Sequence, residues 1–244
     1  MNIDSLHFLD CLSILFLLKK TPDKSILEQM RKNIKIALIL SGCGMMDGSE
    51  IHEAVCTLLN LDKHGIEYQC FAPDIQQAKV INHLSRQTQN SSRNILEEAA
   101  RIARGNIKDL KDFHTIDFDG VIFPGGSGAV ANLTEDGRVL PAVAQIITDC
   151  FESKMPIGAI CIAPTLIAQV LGHNGITITI GNDARVAAAI EQTGAHHQNC
   201  SADDVIIDKQ NLIATTPAYM LAKSIKEVDT GVSKLVQAIA KLGR

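Results

Sequence analysis

From residue 34 onward, short runs of continuous apolar character alternate with stretches of helical periodicity, and that alternation leaves few folds open. Ile34–Leu40, Ile66–Ala72, Asp119–Pro124 and Pro156–Ile160 are strand-length and apolar at most positions, as strands covered on both faces must be. Between and after them, helices are expected from Ser49 to about His64, over Arg93–Arg104, Gly137–Phe151 and Ala184–Gln192, and from Pro217 to Leu242. A short helical patch is expected at Ala78–Leu84. Ile176–Ile180 reads as a further strand, and Val205–Asp208 with Leu212–Thr215 as a hairpin. A strand–helix alternation of this kind predicts an α/β domain: one doubly wound, mostly parallel sheet with helices on both faces.

In such a sheet, ligands bind beyond the carboxyl ends of the strands, and three loops fall there. One is the glycine-rich Ser41–Glu53, the second is Gly125–Gly128, and the third is the turn at Cys161. Ala159 and Ala163 flank Cys161 at two residues on either side, and Pro164 suits the first turn of a following helix. Small neighbours let the chain bend sharply and hold one side chain clear, as in a nucleophile elbow with Cys in place of Ser. A thiol above a helix N-terminus is expected to be drawn towards thiolate by the helix dipole. The plain alternative is a small buried apolar residue. Asp47 or Ser49 is the expected cap of the first helix, and Glu50 and Glu53 lie three apart in its opening turn. Acidic residues there are also explained by the dipole alone. The backbone N–H groups after the Val-Ile-Phe-Pro strand, at Gly125 and Gly126, join that of Ile162 as candidate oxyanion donors.

Composition excludes several classes. The net charge is −4 with no long basic run, which argues against a nucleic-acid partner. Seven cysteines at irregular spacing argue for free thiols in a reducing, cytoplasmic setting, not for a disulfide framework. The glycine loop has neither G-x-G-x-x-G spacing nor a P-loop Lys, so no nucleotide cofactor is expected. His196-His197 with Cys200 lacks an evident fourth ligand, so no metal is expected either. Residues 1–29 carry an apolar run, Leu6–Leu18, that is too short to span a bilayer and is followed, not preceded, by Lys19-Lys20. They read as a poorly structured extension before a domain at 30–244, an over-extended start being preferred to a peripheral membrane or partner helix.

These residues resemble the ThiJ/PfpI superfamily, within the class I glutamine amidotransferase-like fold, a flavodoxin-like three-layer α/β/α sandwich. Ser41-Gly-Cys-Gly44, Asp47–Val55, Val80-Ile-Asn-His83, Cys161-Ile-Ala-Pro164 and Thr215–Met220 are similar to the ElbB branch, whose members are named isoprenoid-biosynthesis or enhancing lycopene proteins and glyoxalase ElbB. The resemblance runs from about Met30 to the C-terminus. It implies Cys161 as nucleophile, Glu53 as the carboxyl that bonds to the thiol and shuttles protons, and Gly126 with the Ile162 backbone as the oxyanion site. It implies a small α-oxoaldehyde substrate, no cofactor and a homodimer, and the short apolar run of residues 1–29 leaves no membrane partner expected. One place departs from the pattern. Many relatives carry a His after the strand that follows the elbow helix, where this chain reads Ile180-Gly-Asn-Asp183. Asp183 and Cys43 are therefore carried as secondary candidates. Two functions follow: a glyoxalase acting through Cys161 and Glu53, or a non-enzymatic redox sensor affecting isoprenoid flux, with Cys43 near the elbow thiol.

Overall fold

Leucine and isoleucine at alternate positions of one strand divide the core into two layers. In β1 (Lys35–Ile39), Ile36 and Leu38 face one side of the sheet, while Ala37 and Ile39 face the other. The computed structural model describes residues 34–243, so the expectation for residues 1–29 lies outside the described residues. The central sheet continues with β2 (Glu67–Ala72), β3 (Ile107–Asp109), β4 (Gly120–Phe123), β5 (Ile157–Ile160), β6 (Ile206–Asp208) and β7 (Ile213–Thr216). Its order is β6-β7-β5-β4-β1-β2-β3, parallel except for the β6–β7 hairpin. The first helices are α1 (Ile51–Lys63), α2 (Ile95–Ile102) and α3 (Ser127–Asn132). They are followed by α4 (Pro141–Glu152), α5 (Pro164–Leu171), α6 (Ala184–Glu191) and α7 (Ile225–Leu242). Buried side chains of α1, α2 and α7 pack with Ile36 and Leu38, and those of α4, α5 and α6 pack with Ala37 and Ile39. This is the expected three-layer, doubly wound sandwich.

Several local expectations are corrected. Ala78–Leu84 is not helical: Val80–Asn82 pairs antiparallel with Gln87–Gln89. Side chains take the amides a helix would use there. Asp47 Oδ2 accepts from Ile81 N–H at 2.7 Å, and Asn82 Oδ1 accepts from Leu84 N–H at 2.9 Å. Pro217 does not open the last helix; it leads into a 3-10 turn, Ala218–Met220. Helix α7 starts after Ser224, whose Oγ accepts from Glu227 N–H at 3.3 Å. Within Ile176–Ile180, only Thr177–Ile178 is strand, and it pairs with His196–His197 outside the central sheet. Strand β3 was not expected at all; it is a three-residue edge strand with Lys108 exposed.

Candidate active site

Strands β4, β5 and β7 lie side by side, so the residues just past their carboxyl ends meet. At the end of β5, Cys161 adopts φ +63° and its N–H donates to Thr216 O at 2.9 Å. Pro164 then opens α5, as the elbow requires. The left-handed backbone at a non-glycine residue is a strained conformation held by its surroundings. At the end of β4, the Gly125 carbonyl accepts from Glu50 N–H at 2.9 Å, which sets α1 against this turn. Glu50, not Asp47 or Ser49, caps α1: its Oε2 accepts from Glu53 N–H at 2.8 Å. Asp47 instead braces the 80–89 hairpin, and Ser49 Oγ accepts from Ser41 N–H at 2.8 Å within the loop.

Glu53 has no exposed surface. Its Oε2 accepts from Gly125 N–H at 3.0 Å, and its Oε1 accepts from Tyr219 N–H at 3.2 Å. The Tyr219 amide is delivered by the turn after β7, where Ala218 takes φ +42°. The carboxyl also hydrogen-bonds to Cys161. Burial, and then the nearby Glu50 charge, push the Glu53 carboxyl from its usual 4.5 up to about 8, against the three hydrogen bonds that favour the carboxylate. The Cys161 thiol is held well above its ordinary value, first by burial and then by the Glu53 charge. The N–H groups of Gly126 and Ile162 reach the sulfur and pull the other way. The expected dipole-driven thiolate is thus corrected: burial beside a carboxyl outweighs the helix end. The resting pair holds its protons, and loss of one belongs to the pair as a unit.

The thiol opens onto a cavity of about 1060 Å³, whose wall includes Glu50, His52, Gly126, Cys161, Ile162 and Tyr219. The Gly126 and Ile162 N–H groups, expected as oxyanion donors, reach the Cys161 sulfur. Gly125, the third expected donor, gives its N–H to Glu53 instead. Asp183 is exposed and caps α6, accepting from Arg185 and Val186 N–H at 2.9 Å each, so it does not replace the absent His. Cys43 is not part of the cavity wall, and burial and Glu98 hold its thiol above its ordinary value. Gly48 of the glycine-rich loop packs against backbone, while Met45, Glu50 and His52 of the same loop line the cavity. A Cβ on Gly128 would stand 2.3 Å from Gly48 Cα, so that contact clamps the first two loops together. Among the described residues, no cluster of three or more His, Cys, Asp or Glu side chains is placed to hold a metal ion.

A sequence profile described as the DJ-1/PfpI family matches residues 44–226. The chain belongs to the DJ-1/PfpI family. It is 38% identical over 228 residues to the human "Glutamine amidotransferase-like class 1 domain-containing protein 3, mitochondrial", covering 87% of this chain and 84% of that one. It is 36% identical over 228 residues to the rat "ES1 protein homolog, mitochondrial", covering 87% and 85%. Among solved structures, the crystal structure of an isoprenoid biosynthesis protein with amidotransferase-like domain from Ehrlichia chaffeensis superposes with a TM-score of 0.83. Its identity is 34%, with 86% of this chain and 100% of that one covered. The mitochondrial location is a property of the named relatives. Among the described residues no helix is long and apolar enough to cross a membrane.

Two features of this DJ-1/PfpI site escape a reading of the sequence. His52 Nδ1 and Tyr219 Oη lie 2.8 Å apart, and both line the cavity that Cys161 lines, which puts an imidazole and a phenol on its wall. The pairing spans 167 positions, so only the adjacency of His52 to Glu53 hinted at it. Glu50 is the other: it caps α1, lines the cavity and raises the Glu53 carboxyl, so it is not an inert neighbour. Exchanging Glu50 for Gln keeps a capping oxygen and removes the charge. Glu53 should then ionise at lower pH, and any rate that needs its carboxylate should rise at lower pH than in wild type. A pH–rate profile checks this, and an unmoved profile would show that Glu50 does not act on Glu53.

Gly125 explains why the pair can meet at all. A Cβ there would lie 2.5 Å from Cys161 Cβ, 2.7 Å from Glu53 Oε2 and 2.8 Å from Ile160 O. The Gly125→Ala protein is expected to lose about 1–3 kcal/mol of stability through overpacking, and at least roughly tenfold in turnover as the thiol and carboxyl are forced apart. Thermal melts and steady-state rates report both. Wild-type values in each would mean the strand ends tolerate a side chain between them.

Proposed function

We propose that the protein is a glyoxalase that converts glyoxal to glycolate without metal or glutathione. The observation that carries this reading is the buried Cys161–Glu53 hydrogen-bonded pair at the wall of a cavity, with two backbone N–H groups on the sulfur. A base whose carboxyl ionises at about 8 is well matched to moving protons near neutral pH.

Glu53 as carboxylate takes the thiol proton, and Sγ bonds to one aldehyde carbon. The alkoxide oxygen, two bonds from the sulfur and served by the Gly126 and Ile162 N–H groups, takes that proton from Glu53 to give a hemithioacetal and leaves Glu53 a carboxylate again. Glu53 then removes the C–H proton of that carbon. The resulting enediol is reprotonated on the neighbouring carbon, and the hydroxyl on the first carbon loses its proton. One carbon is thereby oxidised to a thioester and the other reduced to an alcohol, so no outside oxidant is needed. Water adds to the thioester, the C–S bond breaks, the thiol recovers a proton, and glycolate leaves. Tyr219, paired with His52, lines the cavity and is the proposed proton-carrying group for the substrate oxygens.

The cysteine must be reduced for this chemistry, so a reducing compartment, the cytoplasm, is the proposed location. A homodimer is the proposed assembly, measurable by light scattering. The test of function is incubation of purified protein with ¹³C-labelled glyoxal in amine-free buffer containing a metal chelator, read by NMR. Glycolate formed in proportion to enzyme is the expected result, and the absence of amines separates it from removal of glycation adducts. No glycolate above the buffer blank would overturn the proposal.

A further inference from the structure

Glyoxal has four heavy atoms, whereas the cavity beside Cys161 measures about 1060 Å³, the scale of sites that enclose drug-sized ligands. Its walls beyond the reacting pair include Met45, Val130, Ala131, Ile162 and Met220, surfaces that gain from contact with an apolar body. Lys79 supplies the wall's lysine or arginine charge, and among the described residues no second one lines it. Among the described residues no carboxylate forms an ion pair with it. The backbone on both sides of Lys79 is pinned: Ala78 N–H donates to Asn132 Oδ1 at 3.0 Å, and Ile81 N–H donates to Asp47 Oδ2 at 2.7 Å. Asn132 Nδ2 in turn donates to Ser41 O and Asp47 O, tying this segment to the loop that leads into α1 and Glu53. The ammonium is thus carried on a braced segment beside the catalytic loop.

We propose that the preferred substrate is an α-oxoaldehyde whose second carbon bears an apolar body ending in an anion, carboxylate or phosphate, received by Lys79. This rests on the glyoxalase reading and names its substrate class. Lys79 is exposed, and a ligand whose apolar body covers the cavity walls while its own negative end meets the ammonium uses both features at once. A two-carbon dialdehyde can use neither the apolar walls nor the cation. It reacts as a minimal substrate that reaches the thiol alone.

The test compares glyoxal, phenylglyoxal and phenylglyoxals carrying a para-carboxylate or para-phosphate on wild type, Lys79→Gln and Lys79→Arg. The expected result is a kcat/KM for the anionic compounds roughly tenfold or more above phenylglyoxal in wild type. That ratio should fall towards unity in Lys79→Gln and be largely restored in Lys79→Arg, with the loss appearing mainly in KM. The carboxylate and phosphate arms show which anion the site favours. Turnover of glyoxal with no preference for an anion, or a preference untouched in Lys79→Gln, overturns the substrate class and leaves the glyoxalase reading standing. If no aldehyde is turned over, that reading fails. A second measurement then decides the binding claim: protection of Cys161 from alkylation by 4-methylbenzoate against 4-methylbenzamide. Equal protection by the acid and the amide overturns it, and Lys79-dependent protection by the acid alone supports it.

Discussion

Replacing Glu53 by Gln is expected to lower glyoxal turnover by roughly 10²–10⁴ while the protein remains folded. The amide keeps the shape of the side chain, and its oxygen can still accept one of the two backbone N–H groups at Gly125 and Tyr219. It cannot accept and return a proton. The same exchange should change how stability depends on pH, in a direction fixed by the raised carboxyl. Below 4.5 the group is protonated folded or unfolded, and contributes no pH dependence. Between 4.5 and about 8 the folded state keeps a proton that the unfolded chain releases, so stability falls as pH rises. Above about 8 the full cost of a buried carboxylate is present, several kcal/mol at most for a difference of this size. The Gln variant lacks that slope. Its melting temperature should stay flatter between pH 5 and 8 and exceed that of wild type at the alkaline end. Denaturant titrations across this range, run beside steady-state rates, check both halves. Unchanged turnover would remove Glu53 from the mechanism, and an unchanged pH slope would show that its proton is not held by the fold.

The parts of this site that local chain geometry determines could be read in advance. Ala159, Ala163 and Pro164 permit a sharp strand-to-helix turn, and that turn is where Cys161 stands. Glu53 in a first helical turn was legible as a position, but two carboxyls three apart looked alike. What separates them is tertiary: Glu50 turns back to cap its own helix, while Glu53 points inward to the amides of Gly125 and Tyr219. Ser224-Ile-Lys-Glu227 is a helix-start pattern that outranks Pro217, because a proline fits a 3-10 turn as readily as a helix opening. The 78–84 segment was misread because its polar side chains and those of Asp47 supply hydrogen bonds that periodicity ignores.

What distance along the chain hides is a different matter. Tyr219 reaches Glu53 across 166 positions, and Lys79 joins the cavity through a hairpin braced by Asp47 and Asn132. No local pattern encodes either. The direction in which the thiol is shifted was equally out of reach. A helix N-terminus favours thiolate by an amount that sequence can suggest, but the opposing burial depends on how completely β4, β5 and β7 close around the sulfur.

Cys161 offers a prediction in which stability and function separate. Exchange to Ala or Gly should reduce glyoxal turnover to the uncatalysed background, since the mechanism then has no sulfur to bond to carbon. Brief alkylation should mark Cys161 ahead of the other five described free cysteines, because it alone lines the cavity. It should still mark Cys161 in the Glu53→Gln protein, where the nucleophile survives and the shuttle does not. Preferential labelling of Cys43 or Cys200 would count against the site. The stability arm rests on the backbone. At φ +63° a side chain with a Cβ is strained, and the Ala variant keeps that strain while the Gly variant relieves it. Both variants lose the same buried sulfur, so comparing them cancels that loss to within one methyl group. Cys161→Gly should therefore be more stable than Cys161→Ala by about 1 kcal/mol, the reverse of the usual order for these residues. Equilibrium unfolding of the two proteins decides it. An Ala variant at least as stable as the Gly variant would mean that residue 161 stores no strain, and that the elbow is held by packing alone.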